Sequence, residues 1–219
     1  VYVTFRYVPK GFVLESASNA ISVEYPESLL ALLQSKLSTI IANILNATTN
    51  LSNGVVARFP LLTISDEALL SIVHQSISTA KKDWDAHETS WNFEENPLIS
   101  IFKENGGTLK QALDYFVEKW TDSFFELHDN EEELNRQFIE MYGLQDELTK
   151  DVPLNEVTIL QQKEIKVENG QLKWNKDVIL KQLISYAIGC MMGRYRLDHP
   201  GLHIAHPDAT DAEKVDYLY

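Results

Sequence analysis

The sequence predicts a mainly α-helical fold with a small β component, an α+β class in which amphipathic helices form a scaffold beside a small α/β unit. Three observations carry this. Apolar residues recur at steps of three and four over four long stretches, the spacing of a helix with one buried face. An Asn169-Gly170 pair stands between short alternating runs and suits the positive-φ positions of a tight hairpin. The 219 residues, 44% of them hydrophobic, contain only nine Gly and seven Pro, so helices run with few breaks.

Val1 to Val23 is rich in β-branched and aromatic residues and is broken at Pro9-Lys10-Gly11, which reads as two short strands joined by a turn. The chain opens in the middle of this run, as an excised fragment would. After Pro26, the positions Leu29, Leu30, Leu33, Leu37, Ile40, Ile41, Ile44 and Leu45 predict a long amphipathic helix. The polar stretch from Asn46 to Asn53, closed by Gly54, ends it, and Val55 to Leu62 reads as a short extended segment around Pro60. Ser65 is placed to cap a second helix, with Asp66 and Glu67 in its positively polarised first turn. Leu69, Leu70, Val73, Ile77, Ala80 and Trp84 form its buried stripe.

A loop carrying Asn96-Pro97 and Gly106-Gly107 leads to Thr108, the cap of the next helix. Apolar positions there run from Leu109 through Phe116, Trp120 and Phe124 to Phe138 and Met141, as far as Gly143. Glu131-Glu132-Glu133 interrupts that face, so the stretch is either one long helix or two with a break near Asn130. The hairpin falls at about 165–174. The last helix, from about Lys176 to Tyr195, is apolar over most of its surface and is expected to be deeply packed.

The net charge of −13 argues against nucleic-acid binding over the whole surface, because a phosphate-binding face needs Lys and Arg. The acid is not spread evenly. Residues 1–63 hold four basic groups against three acidic ones, residues 64–162 seven against 21, and the remainder eight of each. The first segment is therefore electrostatically free to approach DNA, while the middle reads as a solvated helical surface or one facing a basic partner. No apolar run reaches the roughly 20 residues that cross a bilayer, so no membrane partner is expected. One cysteine, Cys190, allows no internal disulfide; a reducing cytoplasm and an inert core thiol are expected.

Motifs for chemistry are weak or missing. Asn96-Pro97-Leu98-Ile99 lacks the second proline and the aromatic of the Asn-Pro-Pro-aromatic motif of amino-methyltransferases, and reads as an ordinary turn. His199, His203 and His206 stand at metal-like spacing, but Pro200 and Gly201 oppose a regular helix there, so a solvated loop is favoured and no metal is expected. Asp83 and Asp85 point to different faces of a helix and make a poor acid/base pair; Trp84 reads as a core anchor beside them. No glycine-rich phosphate loop or Phe-x-Gly-x-Gly cofactor turn is present, so no catalytic residue is assigned. The polar run Asn46–Gly54 with Arg58 just beyond carries the amides and hydroxyls used on base edges and phosphates, although such groups also bond their own backbone in a helix-terminating loop.

A resemblance gives these pieces an order. Phe5-Arg6-Tyr7-Val8-Pro9-Lys10-Gly11-Phe12, then Leu29 to Leu37, then the run Asn46–Asn53 leading to Gly54-Val55-Val56-Ala57-Arg58-Phe59-Pro60, resembles the target-recognition region of restriction-modification type adenine-specific DNA methyltransferases. Farther on, Asp83-Trp84-Asp85 with Glu88 to Phe93, Asn130 to Arg136 with Tyr142 to Leu148, and Ile184 to Tyr195 are similar to the PglX methyltransferase family of the BREX phage-exclusion system. These blocks span Phe5 to about Leu202. The family's cofactor turn and Asn-Pro-Pro-aromatic motif lie upstream of the matched region, its chain continues beyond Tyr219, and the hairpin at Asn169-Gly170 looks like an insertion.

The resemblance implies a parent enzyme that transfers a methyl group from S-adenosylmethionine to N6 of an adenine flipped out of duplex DNA, marking host DNA against phage. It implies that 1–63 is part of a target-recognition-like α/β unit and 64–219 a helical scaffold, itself inactive and without bound cofactor. Lys10, Thr48, Thr49, Asn50, Ser52, Asn53 and Arg58 are then the expected DNA-facing residues. The partners are double-stranded DNA through the parent enzyme and other phage-defence proteins. The alternative is a helical protein-interaction module of the same defence system that touches no DNA.

Overall fold

A computed structural model describes residues 5–8, 11, 21, 23, 26–45, 52–60, 66–203 and 210. Among them are seven α-helices and one two-stranded antiparallel sheet, a mainly α fold with a small β component. The helices are α1 Pro26–Gln34, α2 Lys36–Leu45, α3 Asn53–Val56, α4 Glu67–Asp85, α5 Pro97–Asn105, α6 Leu109–Met141 and α7 Lys176–Met191. The strands are β1 Ile165–Glu168 and β2 Gln171–Trp174. The chain divides into two compact units, one of residues 1–78 and 127–153, the other of residues 79–126 and 154–219.

The first unit is held by leucines of α1 and α2 against α4 and the end of α6. Leu32, Leu37, Leu69, Val73, Leu134 and Phe138 form its main buried cluster. A second cluster joins Leu33 and Ala42 to Val56 and Phe59. The sequence gives one helix over 29–45, but the structure bends it by 79° at Ser35. The cause is side-chain competition for the helix ladder. Ser35 Oγ donates to the Leu32 carbonyl and Ser38 Oγ to that of Leu33, at 2.7 and 2.6 Å, while the Lys36 amide donates to Asn135 Oδ1 at 2.9 Å. Among the described residues no single helix is long and apolar enough to cross a membrane; α1 and α2 together have the length and composition, but are bent.

Two expectations for this region change. Val55–Leu62 does not start as an extended segment: Asn53–Val56 is one helical turn, and Ala57 and Arg58 continue as a turn. Val56 and Phe59 are three apart and both buried, so helical spacing, not alternation, turns them inward. The strands expected over 1–23 fall largely outside the described residues; Phe5–Val8, which are described, are irregular. The Phe5 carbonyl takes its hydrogen bond from Gln34 Nε2 at 2.8 Å instead of from a strand.

α6 is one continuous helix of 33 residues, which resolves the choice left open at Asn130. Thr108 and Gln111 close its start as a capping box: the Gln111 amide donates to Thr108 Oγ1, and the Thr108 amide to Gln111 Oε1. Its end is a Schellman turn at Gly143, φ 68°, with Leu144 N donating to Ile139 O and Gly143 N to Glu140 O.

In the second unit the hairpin is present as expected, with Ile165 opposite Trp174 and Val167 opposite Leu172, and Asn169 and Gly170 at φ 53° and 72°. The half-buried Ile165, Val167, Leu172 and Trp174 share one face, and Trp174 Nε1 donates to Thr121 Oγ1 of α6 at 3.0 Å. α5 was not anticipated. Asn96 caps it by accepting from the Leu98 amide at 3.0 Å, Pro97 takes the first position, and Gly106 ends it at φ 66°.

Two core assignments in this unit are corrected. Trp84 is 58% exposed, and Ala80 is exposed too. The neighbouring Asp83 faces inward to the Leu160 amide, and the roughly 100° step between consecutive helical residues carries Trp84 outward. The last helix is less deeply packed than its composition suggests. It stops at Met191, and although Ile179, Tyr186 and Gly189 are buried, Ile184, Ile188 and Met191 on the opposite face are exposed. Its end is a second Schellman turn, with Arg194 N donating to Gly189 O and Gly193 at φ 77°. The half-buried Cys190 packs on the aromatic cluster of Phe93, Tyr186 and Tyr195.

Tyr195 stacks on Tyr186 at 5.1 Å between ring centroids and lies directly over Gly189. A Cβ on Gly189 would stand 2.6 Å from the Tyr195 ring. Gly189→Ala is therefore expected to lower stability by about 1–3 kcal/mol through overpacking, against the gain that Ala normally brings to a helix. Thermal unfolding checks this; a stabilised variant would contradict the packing.

Candidate functional site

Of the seven expected DNA-facing residues, Lys10, Thr48, Thr49 and Asn50 lie outside the described residues. Ser52, Asn53 and Arg58 are described, and all three are exposed around the single turn α3. The arrangement follows from the local sequence. Val56 and Phe59 anchor the turn in the cluster with Leu33 and Ala42, so the polar residues flanking them face outward. Ser52 occupies the cap position without a side-chain cap bond, and Arg58 forms no salt bridge among the described residues. Of the described residues of this loop, Ser52 therefore does not spend its side chain on capping the local backbone.

The acidic stretch on α6 behaves differently. Arg136 bridges Glu133 and Glu140 at 2.7 and 2.9 Å, and Lys150 contacts Glu132. The Arg136 hydrogen bond holds the Glu133 carboxyl down at about 2. Glu132 also accepts from the Val152 amide at 3.2 Å, so this side chain, expected on a solvated face, ties down the chain after α6. The cluster is largely occupied with its own partners.

The second unit holds a polar cluster that sequence reasoning missed. Glu164 is 1% exposed, and its Oε1 lies 2.7 Å from both His87 Nε2 and Gln182 Nε2. His87 Nδ1 is 2.7 Å from the Asp83 carbonyl. A carbonyl only accepts, so Nδ1 carries a proton; Nε2 then faces a carboxylate oxygen, and a second proton must lie between them. Burial opposes a charge on either group. The contact with Glu164 outweighs it and raises His87, and the contacts with His87 and Gln182 lower Glu164. Asp83 accepts from the Leu160 amide at 3.1 Å, and burial pushes its carboxyl up to about 6. The only visible signal in the sequence was Asp83 and His87 one helical turn apart. The space beside the cluster is about 10 Å³, on the scale of a single water molecule.

The weaker motifs resolve as structure. Asn96 caps α5 with the oxygen that a base-holding loop would use. Asp83 and Asp85 take separate partners, the latter Lys81 at 2.8 Å and Ser90 Oγ at 2.6 Å. His199 donates from Nδ1 to the Pro200 carbonyl, the His203 amide bonds the Arg194 carbonyl, and His206 lies outside the described residues. Among the described residues no group of three His, Cys, Asp or Glu side chains is placed to hold a metal.

No protein-family model matches the chain. Two curated proteins do. The chain is 34% identical over 214 residues, 95% of its length, to adenine-specific methyltransferase PglX of Lacticaseibacillus casei (strain Zhang). It is 30% identical over 211 residues, 93% of its length, to adenine-specific methyltransferase BrxX of Escherichia coli O9:H4 (strain HS). It spans 17% of the length of either relative.

Proposed function

From its similarity over nearly all of its length to the PglX and BrxX adenine-specific methyltransferases, we propose that the chain is a non-catalytic DNA-recognition and scaffold segment of such an enzyme. The parent takes S-adenosylmethionine as methyl donor, binds it outside this segment, and methylates N6 of adenine in duplex DNA. It works in the cytoplasm as the host-marking component of phage defence, alongside other proteins of that system. Residues 1–63 supply the recognition surface and residues 64–219 the scaffold. The observation that carries this reading is the exposed α3 turn, where Ser52, Asn53 and Arg58 face outward, while the acidic groups of α6 pair with Arg136 and Lys150.

In the full-length enzyme, Arg58→Ala is expected to weaken DNA binding and lower the log–log salt slope by about one if the guanidinium meets a phosphate. If it meets a guanine edge, preference relaxes at one base pair, by roughly 1–3 kcal/mol. Replacing Glu131, Glu132 and Glu133 together by Gln, which keeps an acceptor for the Val152 amide, is expected to leave site preference unchanged. Binding over a salt series with matched and mismatched duplexes checks both. An Arg58→Ala enzyme that binds like wild type, with a triple variant that changes preference, would move the recognition surface off the α3 turn. A second reading, a helical module that docks another defence protein and touches no DNA, draws on the exposed apolar edge of Ile184, Ile188 and Met191. It requires both variants to leave DNA binding untouched.

A further inference from the structure

The buried cluster of the second unit has one group left over. Glu164 Oε1 takes both Nε2 donors, of His87 and of Gln182, while Oε2, equally buried, meets no donor among the described residues. A buried carboxylate oxygen with no donor is among the costliest arrangements in a protein interior. Beside it lies a cavity of about 10 Å³, close to the space one water molecule needs. The residues around it are mixed: the polar Asp83, Asn96 and Gln182 stand beside the apolar Trp120 and Ile179. Asn96 has its oxygen engaged by the Leu98 amide, and its amide nitrogen meets no acceptor among the described residues. Cavities lined only by apolar side chains stay dry, whereas one with two to four polar partners holds water.

We propose that this cavity is a binding site for a single long-lived water molecule, hydrogen-bonded to Glu164 Oε2 and to the polar wall formed by Asp83 and Asn96. The water gives the orphan oxygen its donor and joins the Asp83 and Glu164 carboxyls through one hydrogen-bonded bridge. The size of the space excludes any larger ligand, and the neighbouring positive imidazole of His87 disfavours a metal cation in the same place.

A high-resolution crystal structure of the wild-type chain is expected to show one peak of water density within hydrogen-bond distance of Glu164 Oε2. In solution, water–amide cross-relaxation should mark the Leu160 and Glu164 amides with the sign of a water resident for longer than molecular tumbling. Glu164→Met, which keeps length but removes the acceptor, should abolish that signal. The two wild-type measurements stand whether or not the variant folds. An empty cavity, or cross-relaxation absent at both amides, overturns the proposal, as does density that refines as an ion.

Discussion

Glu164→Met is expected to lower the unfolding free energy by about 3–5 kcal/mol, the cost of removing one partner from a buried, hydrogen-bonded charge pair. The His87 imidazole would keep its bond to the Asp83 carbonyl but face a thioether where it now has a carboxylate 2.7 Å away. The Gln182 amide would lose its acceptor as well. The pair also gives the protein a pH signature. His87 is raised from its ordinary 6.5, so its contribution is full below that value and is lost as pH rises through the raised one. Glu164 is lowered from 4.5, so its contribution is present above 4.5 and is lost as pH falls through the lowered value. Asp83, raised by burial to about 6, adds a contribution that fades between its ordinary 3.8 and 6. His87 and Glu164 together make the contribution of the pair full between about pH 4.5 and 6.5, Asp83 takes stability away as pH rises toward 6, and the His87 part is lost as pH rises through its raised value. Denaturant unfolding of wild type and Glu164→Met over that range checks both statements. A variant within 1 kcal/mol of wild type, with an unchanged pH profile, would show that the pair is not a charged one.

The second large effect is expected at Asn135, which joins two parts of the first unit. Its Oδ1 accepts from the Lys36 amide, the first residue of α2, and its Nδ2 donates to the Lys150 carbonyl at 3.1 Å. Asn135 is buried, so Asn135→Ala removes both bonds and leaves an amide and a carbonyl without them in a part-buried setting. The expected loss is about 2–4 kcal/mol, with faster hydrogen exchange at the Lys36 amide than elsewhere in α2. Asn135→Asp keeps the acceptor but not the donor, and should recover the protection at Lys36 while leaving the Lys150 bond broken. Uniform loss across the whole unit in both variants would mean that Asn135 does not hold the α1–α2 corner.

What could be read from the sequence follows from how local the controlling physics is. The Thr108 cap, and Asn169-Gly170 with its alternating flanks, act over four to ten residues, and both features are found where the sequence places them. α5 has equally local signals, Asn96-Pro97 before it and Gly106 after it, but the same residues also punctuate loops, and only the structure shows them as a cap, a first position and a stop. The bend at Ser35 has a different character. Its serines are visible, but the partner that captures the Lys36 amide comes from Asn135, 99 residues away. Trp84 was misassigned because helical period gives a face and not the direction that face points; the inward turn of Asp83 decides it.

The site divides in the same way. The outward setting of Ser52, Asn53 and Arg58 follows from the buried Val56 and Phe59, a short-range pattern. The cluster of His87, Glu164 and Gln182 joins residues 77 and 18 apart in sequence, and no spacing rule relates them. The relationship to PglX and BrxX was legible because it rests on several ordered blocks over most of the chain and not on one motif.

The most direct test of the recognition role is an exchange of segments followed by mapping of methylated adenines in cells. In the full-length enzyme, residues 1–63 would be replaced by the aligned segment of the Lacticaseibacillus casei relative, and separately residues 64–219 by theirs. The account predicts that the first exchange moves the methylated sequence toward that of the donor and the second leaves it unchanged. A methylated sequence that is retained in the first exchange and altered in the second would contradict it.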